Sequence, residues 1–166
     1  YANHTETFRQ GTIVGAAYQN KGDVLDPLKT KGNELGIKLK TGDFFHKLSL
    51  FSIERDSYTT VTKIDGDYLT YGGQKTKHRG LEYTGTGSIH KKWNVIGGFM
   101  YLDAKTSDGK RANGVPQWSS NLGVEYRADD TFTILTRLNY AGSSYIKDEK
   151  FRVPSYFTLD LGARYK

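Results

Sequence analysis

The 166-residue sequence contains no cysteine, one methionine and three prolines. Without cysteine there is neither a disulfide framework nor a thiolate zinc site, and the redox compartment stays open. Its four histidines, His4, His46, His78 and His90, stand singly. None has the paired spacing of a metal helix, so no metal site is expected. No run of eighteen apolar residues exists in a chain that is 36% hydrophobic, which excludes a transmembrane helix. No segment sustains apolar residues at i, i+3, i+4 and i+7, so amphipathic helices are not expected either. A G-x-S-x-G elbow is missing, and no catalytic residue is assigned. The glycine-rich pieces fall inside strand-like runs rather than between a strand and a helix, so they are not phosphate cradles. Lys and Arg outnumber Asp and Glu by 24 to 18, a net charge of +6, but the positive charges are scattered rather than gathered on one face. That distribution argues against a nucleic-acid partner.

What the sequence has instead is two-residue alternation, the period of a strand with two different faces. Leu81, Tyr83, Gly85, Gly87 and Ile89 alternate with Glu82, Thr84, Thr86 and Ser88. After His90, Lys91 and Lys92, the chain resumes with Trp93, Val95, Gly97, Phe99 and Tyr101 on one side. Ile96 and Met100 depart from an otherwise polar second side. Folded back as a hairpin, these runs place Ile89 beside Trp93, Tyr83 beside Phe99, Leu81 beside Tyr101, and Gly85 opposite Gly97, a thin rung for flanking rings to cover.

Further runs repeat the design. Ser120 to Tyr126 and Phe132 to Tyr140 form a second pair, with Leu135 the exception on its polar side. Leu35, Ile37 and Leu39, then Leu48 and Leu50 after Thr41-Gly42-Asp43, form an earlier one, and Phe157 to Tyr165 comes last. Tyr1 to Phe8 reads as another strand. The count is roughly eight strands of about ten residues, longer than a soluble sheet favours and suited to a tilted membrane crossing.

Short turns (Thr41 to Phe44, His90 to Lys92, Arg127 to Thr131) alternate with long links (Arg9 to Gly32, Asp56 to His78, Ala104 to Pro116, Gly142 to Pro154). Outer-membrane barrels have this asymmetry, with tight periplasmic turns and long extracellular loops. Trp93, Tyr126, Phe132 and Tyr165 fall near the short-turn end of the apolar runs, and Phe99, Tyr101, Tyr140 and Phe157 near the other, which predicts two aromatic girdles. The fold class read from these patterns is all-β, an antiparallel transmembrane β-barrel. A soluble sandwich with Tyr-rich strands is the competing architecture.

Four stretches carry a family resemblance: Leu28-Lys29-Thr30-Lys31-Gly32-Asn33-Glu34-Leu35-Gly36-Ile37-Lys38, Arg79-Gly80-Leu81-Glu82, Tyr101-Leu102-Asp103-Ala104 and Val153-Pro154-Ser155-Tyr156. In this order they resemble motifs in the barrel of TonB-dependent ferric-siderophore receptors. Leu28-Lys29-Thr30 departs from the usual Pro-Glu-x-Ser, and Ala112-Asn113-Gly114-Val115-Pro116 carries an extra residue before its proline.

The resemblance implies a barrel of about 22 strands around a plug, of which residues 1–166 are an incomplete wall of about eight strands, without the plug domain and the final strands. An independent eight-strand porin-like barrel is the alternative. The implied function is an outer-membrane receptor of a bacterial cell that takes up a ferric siderophore, energised by TonB through the plug, with iron as substrate and no cofactor. A passive pore and a soluble carbohydrate-binding β-module stay open.

On the polar faces Glu34, Lys38, Glu82, Glu125, Arg137, Asp160 and Arg164 are expected to face the lumen. Tyr68, Tyr71, Trp118, Tyr145 and Tyr156 are the ligand-binding candidates by position. Outer-membrane lipid and lipopolysaccharide are the expected surroundings. Lys75, Lys77, Arg79, Lys110, Arg111, Lys147 and Lys150 are read chiefly as solvated loop charges.

Overall fold

The computed structural model describes residues 1–147 and 149–166, the side chains of residues 72–74 falling outside that description. Among the described residues there are twelve strands: β1 (Ala2–Arg9), β2 (Thr12–Ile13), β3 (Val24–Leu25), β4 (Leu28–Thr41), β5 (Phe44–Lys63), β6 (Gly66–His90), β7 (Trp93–Thr106), β8 (Trp118–Arg127), β9 (Phe132–Ala141), β10 (Ser144–Ile146), β11 (Phe151–Val153) and β12 (Tyr156–Tyr165). Eight of them form one antiparallel sheet in the order β1-β4-β5-β6-β7-β8-β9-β12, each neighbouring the next main strand of the chain. The small pairs β2–β3 and β10–β11 sit in the links at one rim.

The sheet is an open wall. β1 and β12 occupy opposite edges and do not pair, which overturns the reading as an independent eight-strand barrel. Among the described residues nothing packs over either face as a second layer. Leu122 is 45% exposed, Leu138 39% and Leu159 60%, so these leucines are not the inside of a sandwich. The few buried apolar residues, Val14, Leu28, Ala104 and Ala112, belong to the long-link end rather than to a core between strands.

Cross-strand register shows what the exposed apolar face is for. Ile37, Leu48, Tyr83, Phe99, Ser120, Tyr140 and Phe157 form one continuous rung. Leu39, His46, Gly85, Gly97, Leu122, Leu138 and Leu159 form the rung below it. The predicted Gly85 to Gly97 pairing is present, and a Cβ at Gly85 would lie 2.8 Å from the Phe44 ring and 2.9 Å from the Tyr83 hydroxyl. Rings therefore fill the space at Gly85, whereas at Gly97 the Asn121 carbonyl oxygen (2.8 Å) and the Leu122 side chain (3.3 Å) close in instead.

Aromatic pairs bound the band at both ends. Trp93 and Tyr126 stack with centroids 4.4 Å apart near the short turns, while Tyr101 and Trp118 (4.8 Å) and Tyr140 and Phe157 (4.7 Å) lie toward the other rim. Eight steps along β7 separate Trp93 from Tyr101, roughly 27 Å at about 3.4 Å per residue. A strand tilt of about 40° turns that into roughly 21 Å, close to the apolar band of a bacterial outer membrane.

The turns at the Trp93 end are tight for chemical reasons. Gly42 takes a left-handed φ of 58° between Thr41 and Phe44, a conformation glycine adopts without steric cost. Asp129 Oδ1 accepts hydrogen bonds from the Thr131 and Phe132 amides, both at 2.8 Å, and fixes the β8–β9 turn.

Three expectations change. The link from Asp56 to His78 is a hairpin rather than a loop: β5 and β6 continue as a pair to Lys63 and Gly66, with a register shift between Ser57 and Tyr58. Above the band both faces meet water, so the run Tyr58-Thr59-Thr60-Val61-Thr62 carries strand propensity without apolar alternation. β4 likewise begins at Leu28, inside the link expected from Arg9 to Gly32. Finally, Trp93 pairs with His90 and not Ile89, because an irregularity between Ser88 and His90 displaces Ile89 from the ladder.

Candidate ligand-facing surface of the wall

Alternation leaves a second, mostly polar face. Following the register from β4 to β12, Glu34, Lys38, Glu82, Glu125, Arg137, Asp160 and Arg164 all lie on it, although they come from five strands. Two clusters organise it. Near β1, the Tyr1 hydroxyl donates to Glu34 Oε1 (2.6 Å), and Lys47 Nζ lies 3.0 Å from the same oxygen. Lys38 rests over the Tyr1 ring at 4.9 Å. That ring covers Gly36, where a Cβ would come within 2.5 Å of it.

Near β12, Glu125 is a hub. Its Oε1 accepts from Asn94 Nδ2 (3.1 Å) and Arg127 Nε (3.0 Å), and its Oε2 from Arg164 Nη2 (3.5 Å). The last contact reaches from β8 past β9 to β12. Arg137 and Asp160 are cross-strand partners and, with Glu125, line a concavity of about 830 Å³. Glu82 lies between Ser49 and Met100 and joins neither cluster.

The five aromatic candidates do not converge. Tyr156, 57% exposed, faces the polar side at the upper end of β12, opposite Ala141. Tyr68 and Tyr71 stand on the β5–β6 hairpin above the band. Tyr68 donates to Asp65 Oδ2 (2.5 Å) under Lys63, which lies 4.1 Å from its ring, and Tyr71 donates to Asp56 Oδ2 (3.0 Å). Those carboxylates hold both phenols above their ordinary pKa of 10.0, so they stay neutral donors. Tyr145 lies on β10 with Arg111 5.2 Å from its ring. Trp118 is on the apolar face against Tyr101.

The long links are tied to one another. The β2–β3 link reaches the β5–β6 hairpin, where Gln19 N donates to Asp67 O (2.8 Å) and the Asn20 side chain bonds the Leu69 backbone. The Tyr58 hydroxyl donates to Asp26 O (2.8 Å). Gly114 N donates to Tyr145 O (2.7 Å), joining the β7–β8 link to β10.

Sequence reasoning missed one cluster. Above the aromatic rungs, on the side continuous with the polar face, Arg9, Arg55 and His78 surround a hollow of about 420 Å³ with Thr7, Thr30 and Ile53. His78 is held below its ordinary pKa of 6.5 by burial and by the Arg55 charge. The signal was available: the parity that places Glu34 and Glu82 on the polar face places Thr30, Arg55 and His78 there too. Among the described residues no group of three or more His, Cys, Asp and Glu is placed to hold a metal ion.

A single open wall, polar on one face, banded with lipid-compatible side chains on the other and carrying elaborated links at one rim, is a piece of a large barrel. The family model described as TonB dependent receptor-like, beta-barrel matches residues 1–166. The chain belongs to the TonB-dependent receptor β-barrel family. It is 26% identical over 183 residues to the ferrichrome outer membrane transporter and phage receptor of Escherichia coli K12, covering 99% of this chain and 23% of that protein. It is also 26% identical over 179 residues to the metal-pseudopaline receptor of Pseudomonas aeruginosa, covering 99% and 25%. The crystal structure of BauA, the ferric preacinetobactin receptor of Acinetobacter baumannii, superposes with a TM-score of 0.80 at 31% identity, over 99% of this chain and 26% of that one. The chain thus spans about a quarter of the length of the curated relatives it matches. As a TonB-dependent receptor wall it is an outer-membrane segment, and the family is one of transport receptors.

Proposed function

We propose that this wall serves an outer-membrane receptor that takes up a ferric siderophore and is energised through TonB acting on a plug. The observation that carries the reading is the family match over the whole chain, joined to a wall whose two faces fit lipid on one side and a hydrated lumen on the other. The relatives named above for ferrichrome, metal-pseudopaline and ferric preacinetobactin supply the substrate class. In this reading iron arrives as substrate inside its chelate, and the wall contributes shape, charge and hydrogen bonds rather than chemistry.

Glu34, Lys38, Glu82, Glu125, Arg137, Asp160 and Arg164 then line the lumen, where their charges stay hydrated and face the plug. Tyr156 offers its ring toward ligand from the upper wall, with Tyr68, Tyr71 and Tyr145 contributing from the extracellular links. Trp118 serves the lipid boundary with Tyr101, since an aromatic pair on the apolar face suits the headgroup zone. Outer-leaflet lipid and lipopolysaccharide surround the other side.

The test is uptake of radiolabelled iron chelates by cells whose only iron-chelate receptor is the full-length protein, with and without TonB. Saturable uptake that stops when TonB is removed supports the receptor. Uptake that continues without TonB, linear in concentration, identifies a passive pore instead.

A further inference from the structure

We infer that the hollow framed by Arg9, Arg55 and His78 is an anion-recognising subsite, which makes this receptor prefer ferric chelates that carry free carboxylates over neutral ones. The inference rests on the receptor reading and specifies its substrate class.

It begins with how alternation sorts charge in β5. Glu54, Arg55 and Asp56 are consecutive, so the two acids leave on one face and the arginine on the other. On the acids' face they are neutralised: Lys75 lies 3.2 Å from Glu54 and 3.6 Å from Asp56, and Lys77 lies 3.6 Å from Glu54. Lys31 and Glu6, on that same face of β4 and β1, are 3.1 Å apart. The opposite face receives Arg55 and Arg9 with no carboxylate lining the hollow between them. Among the described residues neither arginine forms an ion pair. Among the described residues the outward surface is thus balanced, and the inward one keeps two guanidiniums with no carboxylate partner, Arg9 lying 5.9 Å from the Tyr58 ring.

The rest of the hollow fits a carboxylate-bearing guest. Thr7 and Thr30 supply hydroxyls, while Ile53 and the buried Leu28 supply an apolar wall. His78, half buried beside Arg55, is kept neutral and offers a donor and an acceptor without adding charge. A guanidinium matches a carboxylate with two parallel N–H donors, and the pair strengthens where water is partly displaced. A neutral chelate gains none of this. The hollow also lies above the aromatic rungs, at the height where a ligand entering from outside first meets the wall.

The experiment uses the full-length receptor in cells lacking other iron-chelate receptors. Two probes are compared: a neutral ferric trihydroxamate, and the same chelate scaffold carrying free carboxylates. Wild type is set against Arg9→Gln/Arg55→Gln and Arg55→Lys, with barrel assembly checked by heat-dependent gel mobility. The double variant is expected to lose roughly tenfold or more in apparent affinity for the carboxylated probe and little for the neutral one. Arg55→Lys should keep part of the preference. Wild-type affinity for the carboxylated probe alone should weaken with salt, a readout that needs no variant to fold. Equal losses for both probes, or a salt-insensitive wild type without preference, overturns the anion subsite and leaves the receptor standing. Wild-type cells that take up neither probe nor any other ferric chelate overturn the receptor reading, and the subsite with it.

Discussion

Asn20 holds the backbone of Leu69 from both sides, its Nδ2 donating to the Leu69 carbonyl at 2.9 Å and its Oδ1 accepting from the Leu69 amide at 3.1 Å. The side-chain amide stands in for a strand partner, so the β2–β3 link is joined to the β5–β6 hairpin without lengthening either ladder.

Asn20→Ala removes both hydrogen bonds, and Asn20→Asp keeps an acceptor but loses the donor. Each bond contributes about 0.5–1.5 kcal/mol, so Asn20→Ala should free the Leu69 amide to exchange roughly tenfold faster or more. Membrane assembly should be unaffected, because the contact lies above the band. Hydrogen exchange of the full-length protein in detergent measures both. Unchanged protection at Leu69 would show that the link docks by other contacts.

The two faces are tested by a pair of substitutions on β8. Val124 lies on the apolar face between Val95 and Thr136, and Asn121 on the polar face between Gly98 and Asn139. Val124→Arg should cost roughly 1 to 3 kcal/mol of folding free energy in lipid, because Val124 lies between mid-bilayer and the Trp93–Tyr126 boundary and the cost of an arginine falls toward the interface. Asn121→Arg should be tolerated in the hydrated lumen. Folding yields into lipid vesicles, read from gel mobility, compare them directly, and equal yields would refute the assignment of faces.

The difference between what sequence could and could not show follows the membrane. Within the band, one face must be apolar, so residues such as Leu122, Val124 and Leu138 announce their strand and register. There the Tyr83 to Phe99 and Leu81 to Tyr101 pairings follow from alternation alone. Above the band that constraint ends. The stretch from Tyr58 to Thr62 pairs as strand although nothing apolar repeats in it, and it reads as a loop. Arg55 and His78 escape notice for the same reason, since they continue the polar face past the point where its apolar counterpart stops. The Ile89 displacement depends on a local irregularity with no compositional mark. Trp118, placed by position among ligand candidates, has the parity of Leu122 and Val124, and that parity puts it beside Tyr101.

Glycine tolerance should depend on what occupies the missing Cβ. At Gly85 the obstructing atoms are the far ends of the Phe44 and Tyr83 side chains, which can rotate away. At Gly87 they are backbone: a Cβ would lie 2.1 Å from the Asp43 carbonyl oxygen and 2.6 Å from the Phe44 Cα, with φ at 156°. Gly87→Ala must therefore shift the β5–β6 pairing near its turn, at about 1–3 kcal/mol, whereas Gly85→Ala should cost less. Urea unfolding from lipid vesicles ranks the two variants. The reverse order would place the strain in the rings rather than the main chain.

The short β8–β9 turn offers a pH test whose sign is fixed by Asp129. Hydrogen bonds from the Thr131 side chain, then from the Thr131 and Phe132 amides, hold its carboxyl below the ordinary value of 3.8. A carboxylate depressed in the folded state stabilises that state fully above its unfolded pKa. The contribution fades as pH falls through the lower, folded value. The Thr131 and Phe132 amides should therefore stay protected from neutral pH down to about 4 and lose protection only below it. In Asp129→Ala the same amides should be poorly protected at neutral pH, with no acid-dependent step remaining. Hydrogen exchange corrected for the intrinsic pH dependence of amide exchange distinguishes the cases. An acid step that survives in Asp129→Ala would assign the turn's pH response to another group, leaving the Asp129 hydrogen bonds without the energetic role their geometry gives them.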